Sequence, residues 1–283
     1  MMYDAGLILE GGGMRGLYTS GVLDFFLEKN LEFKDCFGVS AGCINGMSYI
    51  AKQKKRAYDV SMNYLHDKRY ASMYSLITTG NYFGYDFNLN VIPNELNPFD
   101  YETFKNSPTN FYAVVTNIVT GKAEYKKITD LKEDIDYVWA SGALPLLAKK
   151  VKINDAYYLD GGISDFIPVG ASIRNGNKKN VVILTQDPNY RKKLEPQQKL
   201  ISIWYHRYPK LVKAMKTRHI RYNKRISRIK EEAKKGNLFV LQPQKPVQIK
   251  RLEKDSKVLQ GLYEDGYQDA KRQYDALMQY LES

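Results

Sequence analysis

Histidine and cysteine are scarce in this 283-residue chain, which has three of the first and two of the second. Two cysteines cannot build a disulfide framework, so a reducing, cytoplasmic setting is expected. Cys36 and Cys43 have no histidine or further cysteine nearby at ligand spacing, so they read as small buried hydrophobes rather than a metal pair. No acidic loop has the spacing of a calcium site. No stretch approaches the ~18 apolar residues that span a bilayer. Internal repeats and low-complexity tracts are also missing. The start, Met1-Met2-Tyr3-Asp4, lacks the basic and apolar run of a targeting segment, and none is expected there.

Apolar side chains are present in quantity, 43% of residues with 13% aromatic, which fits a packed globular chain and excludes disorder. The net charge of +12 is concentrated in one place. Residues 206–235 hold 12 Lys+Arg against 2 Asp+Glu, which leaves the rest of the chain nearly balanced. In that segment Tyr208, Leu211, Val212, Met215, His219, Tyr222, Ile226, Ile229 and Ala233 recur every three or four residues, predicting one long helix with an apolar stripe. Because that stripe must pack against protein or lipid, a nucleic-acid partner is not expected. Attraction to an anionic membrane surface is the functional reading of the surrounding cations.

Short apolar runs alternate with helical patterns through the first two thirds of the chain. Ala5–Glu10, Cys36–Val39 and Val181–Thr185 read as buried strands, and 111–116 with 123–128 as a hairpin turning at Thr120-Gly121. Asp130 is placed to cap a helix, Pro168 to open one, and 151–153 with 157–159 suggest another strand pair. Residues 54–108 read only as tyrosine-rich helices and loops. The alternation predicts a three-layer α/β/α fold with a largely parallel central sheet over 1–195. A helix-strand-helix extension follows over 196–283, packed on that domain or continuous with it. Its strand is expected at 238–241 and its last helix at 258–281.

Gly38-Val39-Ser40-Ala41-Gly42 stands between a strand and a helix, the setting in which Gly-x-Ser-x-Gly holds a nucleophilic serine on a strained turn. Gly11-Gly12-Gly13-Met14-Arg15-Gly16 satisfies Gly-x-Gly-x-x-Gly, also between a strand and a helix. A dinucleotide site would need an acidic residue at the end of the next strand, where Ser40 stands instead. The same loop can offer backbone amides to an oxyanion, and Arg15 adds a positive charge. A serine nucleophile also needs a base. His66, His206 and His219 do not fall in loops with the turn chemistry of a site. Asp160 does, at the end of a strand before Gly161-Gly162.

Taken in order, the glycine loop at 11–16, the Ser40 elbow and Asp160-Gly161-Gly162 resemble the patatin-like phospholipase family. Ala140-Ser141-Gly142-Ala143-Leu144-Pro145 is similar to a further block of that family. The resemblance covers roughly residues 5–186 and is strongest to bacterial cytoplasmic members. Phe166 and Ile167 stand where plant-type members carry paired asparagines before Pro168. It implies a lipid acyl hydrolase with Ser40 as nucleophile and Asp160 as proton acceptor, without a histidine between them. Amides around Gly12 and Gly13 would hold the oxyanion, and Gly38 and Gly42 would shape the elbow. No metal or organic cofactor is implied, and the partner would be a phospholipid or other acyl-ester lipid. Two alternatives remain open at this point. One is an α/β-hydrolase triad with His206 or His219 as base, and the other is a non-catalytic nucleotide or phosphate binder built on the glycine loop.

Overall fold

The computed structural model describes residues 2–283. Among them, eight strands form one mixed sheet: β1 (Met2–Leu9), β2 (Glu32–Val39), β3 (Asn110–Asn117), β4 (Ala123–Ile128), β5 (Val151–Ile153), β6 (Ala156–Asp160), β7 (Lys179–Ile183) and β8 (Phe239–Leu241). Their order is β5-β6-β3-β2-β1-β7-β8, with β4 also paired to β3. The run from β3 through β2, β1 and β7 to β8 is parallel, while β4, β5 and β6 pair antiparallel. The helices are α1 (Gly16–Glu28), α2 (Ala41–Ile50), α3 (Arg56–Asn63), α4 (Met73–Thr79), α5 (Tyr101–Lys105), α6 (Leu131–Gly142), α7 (Val169–Arg174), α8 (Gln198–Trp204), α9 (Pro209–Lys216), α10 (Arg218–Lys234), α11 (Ser256–Arg272) and α12 (Tyr274–Glu282). A π-helical stretch runs from Phe87 to Leu96 around Pro93.

Alternation along the central strands creates the layers. In β1, Leu7 and Leu9 face the larger core, with Phe25 and Phe26 of α1, Cys43 and Met47 of α2, and Leu262 of α11. Ile8 faces the opposite layer, with Val169 of α7 and Tyr222, Ile226 and Ile229 of α10. In β7, Val181 and Ile183 point one way and Val182 the other. A strand apolar on both faces is what a buried parallel sheet requires, and the result is the three-layer α/β/α architecture. The hairpin pairs Phe111 with Ile128 and Thr116 with Ala123, the Asp130 side chain accepts from the Lys132 amide, and Pro168 is the N-cap of α7. Both cysteines are buried and free, and burial pushes the Cys43 thiol up to about 12.

Two expectations change in detail. The stripe from 208 to 233 belongs to two helices, α9 and α10, which meet at Thr217. Its hydroxyl donates back to the Lys213 carbonyl at 3.0 Å, a bond that competes with the helical ladder and bends the chain. The last amphipathic pattern is likewise divided at Gln273. That break lets Tyr274 pack edge-on against Phe25 while Leu277 and Leu281 reach the core. The C-terminal segment is woven into the rest: β8 pairs with β7, and α11 lies along α1, where Tyr18 donates to Asp269 at 2.9 Å.

Candidate active site

The carboxyl ends of β1 and β2 lie side by side, and the strand order reverses next to them, between β1 and β7. Such a switch point opens a crevice in doubly wound sheets. The chain leaves β1 through Glu10 and the glycine loop, and leaves β2 directly into Ser40. Ser40 has φ 53° and ψ −121°, a conformation that non-glycine residues avoid. Its amide donates to the Ser141 hydroxyl at 2.9 Å, and α2 begins at the next residue. Gly42 permits the turn because a Cβ there would meet the Leu9 carbonyl oxygen at 2.4 Å. Gly38 closes the elbow from the strand side, against Cys43.

Asp160 reaches Ser40 through sheet register. β4 occupies one edge of β3, and β2 the other as far as Val39 opposite Val114. At the next position, Val115 pairs with Asp160, so β6 enters where β2 departs. The Asp160 amide donates to the Ala143 carbonyl at 2.9 Å, and the Asp160 carbonyl accepts from the Thr116 hydroxyl at 2.8 Å. The block at 140–145 therefore secures both residues, Ser40 through Ser141 and Asp160 through Ala143. The carboxylate accepts the Gly162 amide at 2.6 Å and faces the Ser40 hydroxyl across the polar pocket. Burial pushes the Asp160 carboxyl above the ordinary range. Arg218 is the strongest opposing influence, followed by the Ser40 hydroxyl and Arg251.

The glycine loop faces the same point. Gly11, Gly12, Gly13 and Arg15 line a polar pocket of about 470 Å³ that also contains Ser40, Asp160 and Gly162. Gly13 has φ 59° and lies against the Arg251 backbone, where a Cβ would be 2.4 Å from the carbonyl oxygen. The Met14 amide already donates to that carbonyl at 3.0 Å, and the Met14 side chain turns into a different cavity. Gly16 packs α1 against Ala41, and Gly161 packs against Val114. The other cavity holds about 1410 Å³, mouth included, and runs from Ser40 between Leu17, Ile44, Ile92, Val138, Trp139 and Leu147.

Several of these residues carried no signal in a linear reading. Glu10 is buried at the root of the glycine loop and accepts from the Thr185 amide at 2.7 Å and the Tyr222 hydroxyl at 2.7 Å. Burial raises its pKa. Arg218 donates to Glu195 at 3.0 Å, and Lys192 and Arg251 lie 3.5 Å from the same carboxylate. Lys192, Arg218 and Arg251 all line the polar pocket. The spacing of Arg218, Arg221 and Arg225 beside the apolar stripe was the available signal, since it puts all three on one helix flank. None of the three histidines lines either cavity. His66 and His206 are exposed, and the half-buried His219 has a buried Nδ1 without a hydrogen-bond partner among the described residues.

A strained serine at the head of a helix, between a glycine loop and a buried aspartate on a mixed sheet, defines an α/β protein with a serine on a sharp strand-to-helix turn. Within that class the chain belongs to the patatin-like phospholipase family, which residues 7–173 match. Residues 208–282 match a domain of unknown function, DUF6363. The uncharacterized protein YjjU of Escherichia coli (strain K12) is 32% identical over 184 residues, 63% of this chain and 51% of YjjU. The probable lipid hydrolase 463L of Invertebrate iridescent virus 6 is 25% identical over 199 residues, 62% of this chain and 65% of that protein. The chain thus spans about half to two thirds of the length of these curated relatives. The crystal structure of VipD from Legionella pneumophila aligns with 99% of this chain and 67% of its own, at TM-score 0.46 and 15% identity.

Proposed function

We propose that this protein is a serine hydrolase of lipid acyl esters, phospholipids among them, working through Ser40 and Asp160. The observation that carries the reading is the strained Ser40, set beside a buried carboxylate at the junction of an apolar and a polar cavity. As the Ser40 oxygen attacks the ester carbonyl, its proton passes to Asp160. Met14 has spent its amide on Arg251, so the oxyanion falls to the amides of Gly12 and Gly13, with the α2 N-terminus adding favourable potential. The tetrahedral intermediate collapses to acyl-Ser40, and the alcohol leaves with the proton from Asp160. Water then loses a proton to Asp160 and attacks the acyl carbon, the fatty acid departs, and Ser40 recovers its proton.

The apolar cavity suits the acyl chain and the polar pocket the alcohol side. The probable lipid hydrolase among the relatives supports a lipid ester as substrate. No helix among the described residues is long and apolar enough to cross a membrane. Within residues 206–235 the expected contact narrows to α9, and it extends to α8 before it. Ile203 and Trp204 are each 70% exposed there, while arginines of α10 turn inward. We also infer that 1–195 and 196–283 fold as one unit, supported by β8 in the sheet and α11 on α1.

The test measures fatty-acid release from mixed phospholipid vesicles and hydrolysis of a short-chain p-nitrophenyl ester. Ser40→Ala and Asp160→Asn are each expected to lose about 10⁴-fold in kcat, while the double variant His206→Ala/His219→Ala keeps wild-type rates. Labelling by a serine-reactive fluorophosphonate should vanish in Ser40→Ala. Loss of activity in the histidine variant would replace the dyad with a triad, and activity surviving Ser40→Ala would end the hydrolase reading.

A further inference from the structure

The densest positive charge in the chain does not face solvent uniformly. Along α10, Arg218, Arg221 and Arg225 follow one flank of the helix and reach the loop that follows Asp160. Arg218 donates through Nε to the Gly162 carbonyl. Arg221 donates to the Ile163 carbonyl at 2.7 Å and the Ser164 carbonyl at 2.6 Å, and Arg225 to the Ile167 carbonyl at 2.7 Å. Arg225 also lies 3.5 Å from Asp165, whose other oxygen accepts from Tyr125 at 2.7 Å. After its turn at Gly161–Ile163 the loop forms no strand, and its helix α7 starts only at Val169. The carbonyls of Gly162, Ile163 and Ser164 therefore depend on guanidinium donors, while that of Ile167 is shared between Arg225 and the Val169 amide; the planar guanidinium fork suits this purpose as a lysine's point charge does not.

We propose that α10, within the segment that matches the domain of unknown function, is a clamp that positions Asp160 against Ser40, with Arg218 as its principal positioning residue. The clamp rests on the dyad reading above. Asp160 is the residue before the clamped loop, and its carboxylate bonds the amide of Gly162, whose carbonyl Arg218 holds. A movement of that peptide moves the acceptor of the Ser40 proton. Arg221 and Arg225 extend the grip along the loop, and Tyr222, between them, anchors the same helix to Glu10 at the root of the glycine loop. One helix is thus tied to two of the three loops at the site.

The groups facing Asp160 are the Ser40 hydroxyl, the Gly162 amide, Arg218 and Arg251, with Glu195 balancing the two arginines and Lys192 behind them. Because Arg218 is the strongest influence holding the carboxyl ionised, Arg218→Gln raises its pKa, and the acid limb of the rate profile moves to higher pH. On a short-chain p-nitrophenyl ester, Arg218→Gln is expected to lower kcat about tenfold to a hundredfold, with KM changed by about threefold at most. Arg218→Lys keeps the charge but not the fork, so the limb stays near its wild-type pH while kcat recovers only in part. Arg225→Gln, at the far end of the loop, is expected to lower Tm and to lower kcat less than Arg218→Gln does, with the limb in place.

A folded Arg218→Gln protein with wild-type kcat and an unmoved acid limb would overturn the clamp and leave the arginines as docking contacts. Should Arg218→Gln fail to fold, Arg221→Lys decides. Faster amide hydrogen exchange across 161–167 together with reduced kcat supports the clamp, and unchanged kcat overturns it. Ser40→Ala and Asp160→Asn are measured alongside. If either stays active, the dyad itself fails and the clamp falls with it. If both are inactive while Arg218→Gln is not, only the clamp fails.

Discussion

On one side of Ser40 the walls are Leu17, Ile44, Ile92, Val138, Trp139 and Leu147, side chains with little to offer but volume and shape. On the other stand Arg15, Lys192, Arg218 and Arg251, facing Asp160 and Glu10, with Glu195 bonded behind them. The apolar side draws largely on the helices and loops between residues 44 and 148. The polar side combines the glycine loop and the Asp160 loop with residues from beyond 185. A single serine shared by both is suited to an ester that is apolar at its acyl end and polar at its alcohol end. It follows that changes on the two sides should have separable effects, on chain length and on charge respectively.

The largest of these is expected on the apolar side. Ala148 lines the cavity, is only half-buried and has the Ile118–Leu211 cluster on its other side, so Ala148→Phe puts part of a ring into the cavity. Displacing two or three methylenes of a bound chain at about 0.8 kcal/mol each costs about 2 kcal/mol, or roughly thirtyfold. The kcat/KM for a long-chain p-nitrophenyl ester should fall by that factor, while a butyrate ester, too short to reach the ring, stays within about twofold. An equal loss on both esters would mean that the cavity does not hold the acyl chain.

The same division governs what could be read before the fold was known. The sheet was legible because its strands are short apolar runs bounded by turn residues, and Asp130, Gly121 and Pro168 mark their neighbours through local chemistry. Ser40, Asp160 and the glycine loop lie at strand ends, where backbone geometry restricts residue choice, and the structure brings them together. The apolar wall left no such trace. Ile92, Trp139 and Leu147 are hydrophobic residues among many, and only packing decides which line a cavity. The π-helical turn around Pro93 has no periodicity that would reveal it. On the polar side, Glu195 and Arg251 meet across a long stretch of sequence, a contact that no spacing encodes. The charge excess at 206–235 was visible but its direction was not, because the side chains of Arg218, Arg221 and Arg225 turn toward carbonyl oxygens that appear only once the Asp160 loop is in place.

A smaller effect tests where the apolar side opens toward its substrate. The Leu146–Lys149 stretch, which borders the cavity, touches α8 and α4 alike. Tyr205, at the end of α8, packs in one cluster with Leu146, and the Tyr82 amide, just beyond α4, donates to the Leu147 carbonyl at 2.7 Å. The exposed Ile203 and Trp204 therefore lie on an element adjoining the cavity rim, near Lys210 and Lys213 of α9. Trp204→Ser is expected to weaken sedimentation with anionic vesicles about tenfold and to leave hydrolysis of a soluble short-chain ester unchanged. Added salt should weaken binding of both proteins, through the lysines. Unaltered vesicle binding by Trp204→Ser would place lipid contact elsewhere on the surface.

The smallest effect belongs to the polar side and comes from Lys192. Burial, reinforced by Arg218, pushes its ammonium down to about 8, with Glu195 pulling the other way. As pH rises through that value the pocket loses one of its four cations, and its attraction for an anion weakens. An ester with an anionic group on its alcohol side should therefore show a KM that rises about threefold between roughly pH 7 and pH 9, while the KM of a neutral ester stays flat. In Lys192→Met the two esters should respond to pH alike, because the titrating charge is gone. A neutral ester that follows the same curve, or a Lys192→Met protein that keeps the difference, would separate Lys192 from substrate charge. The asymmetry between the two sides of Ser40 would then rest on the arginines alone.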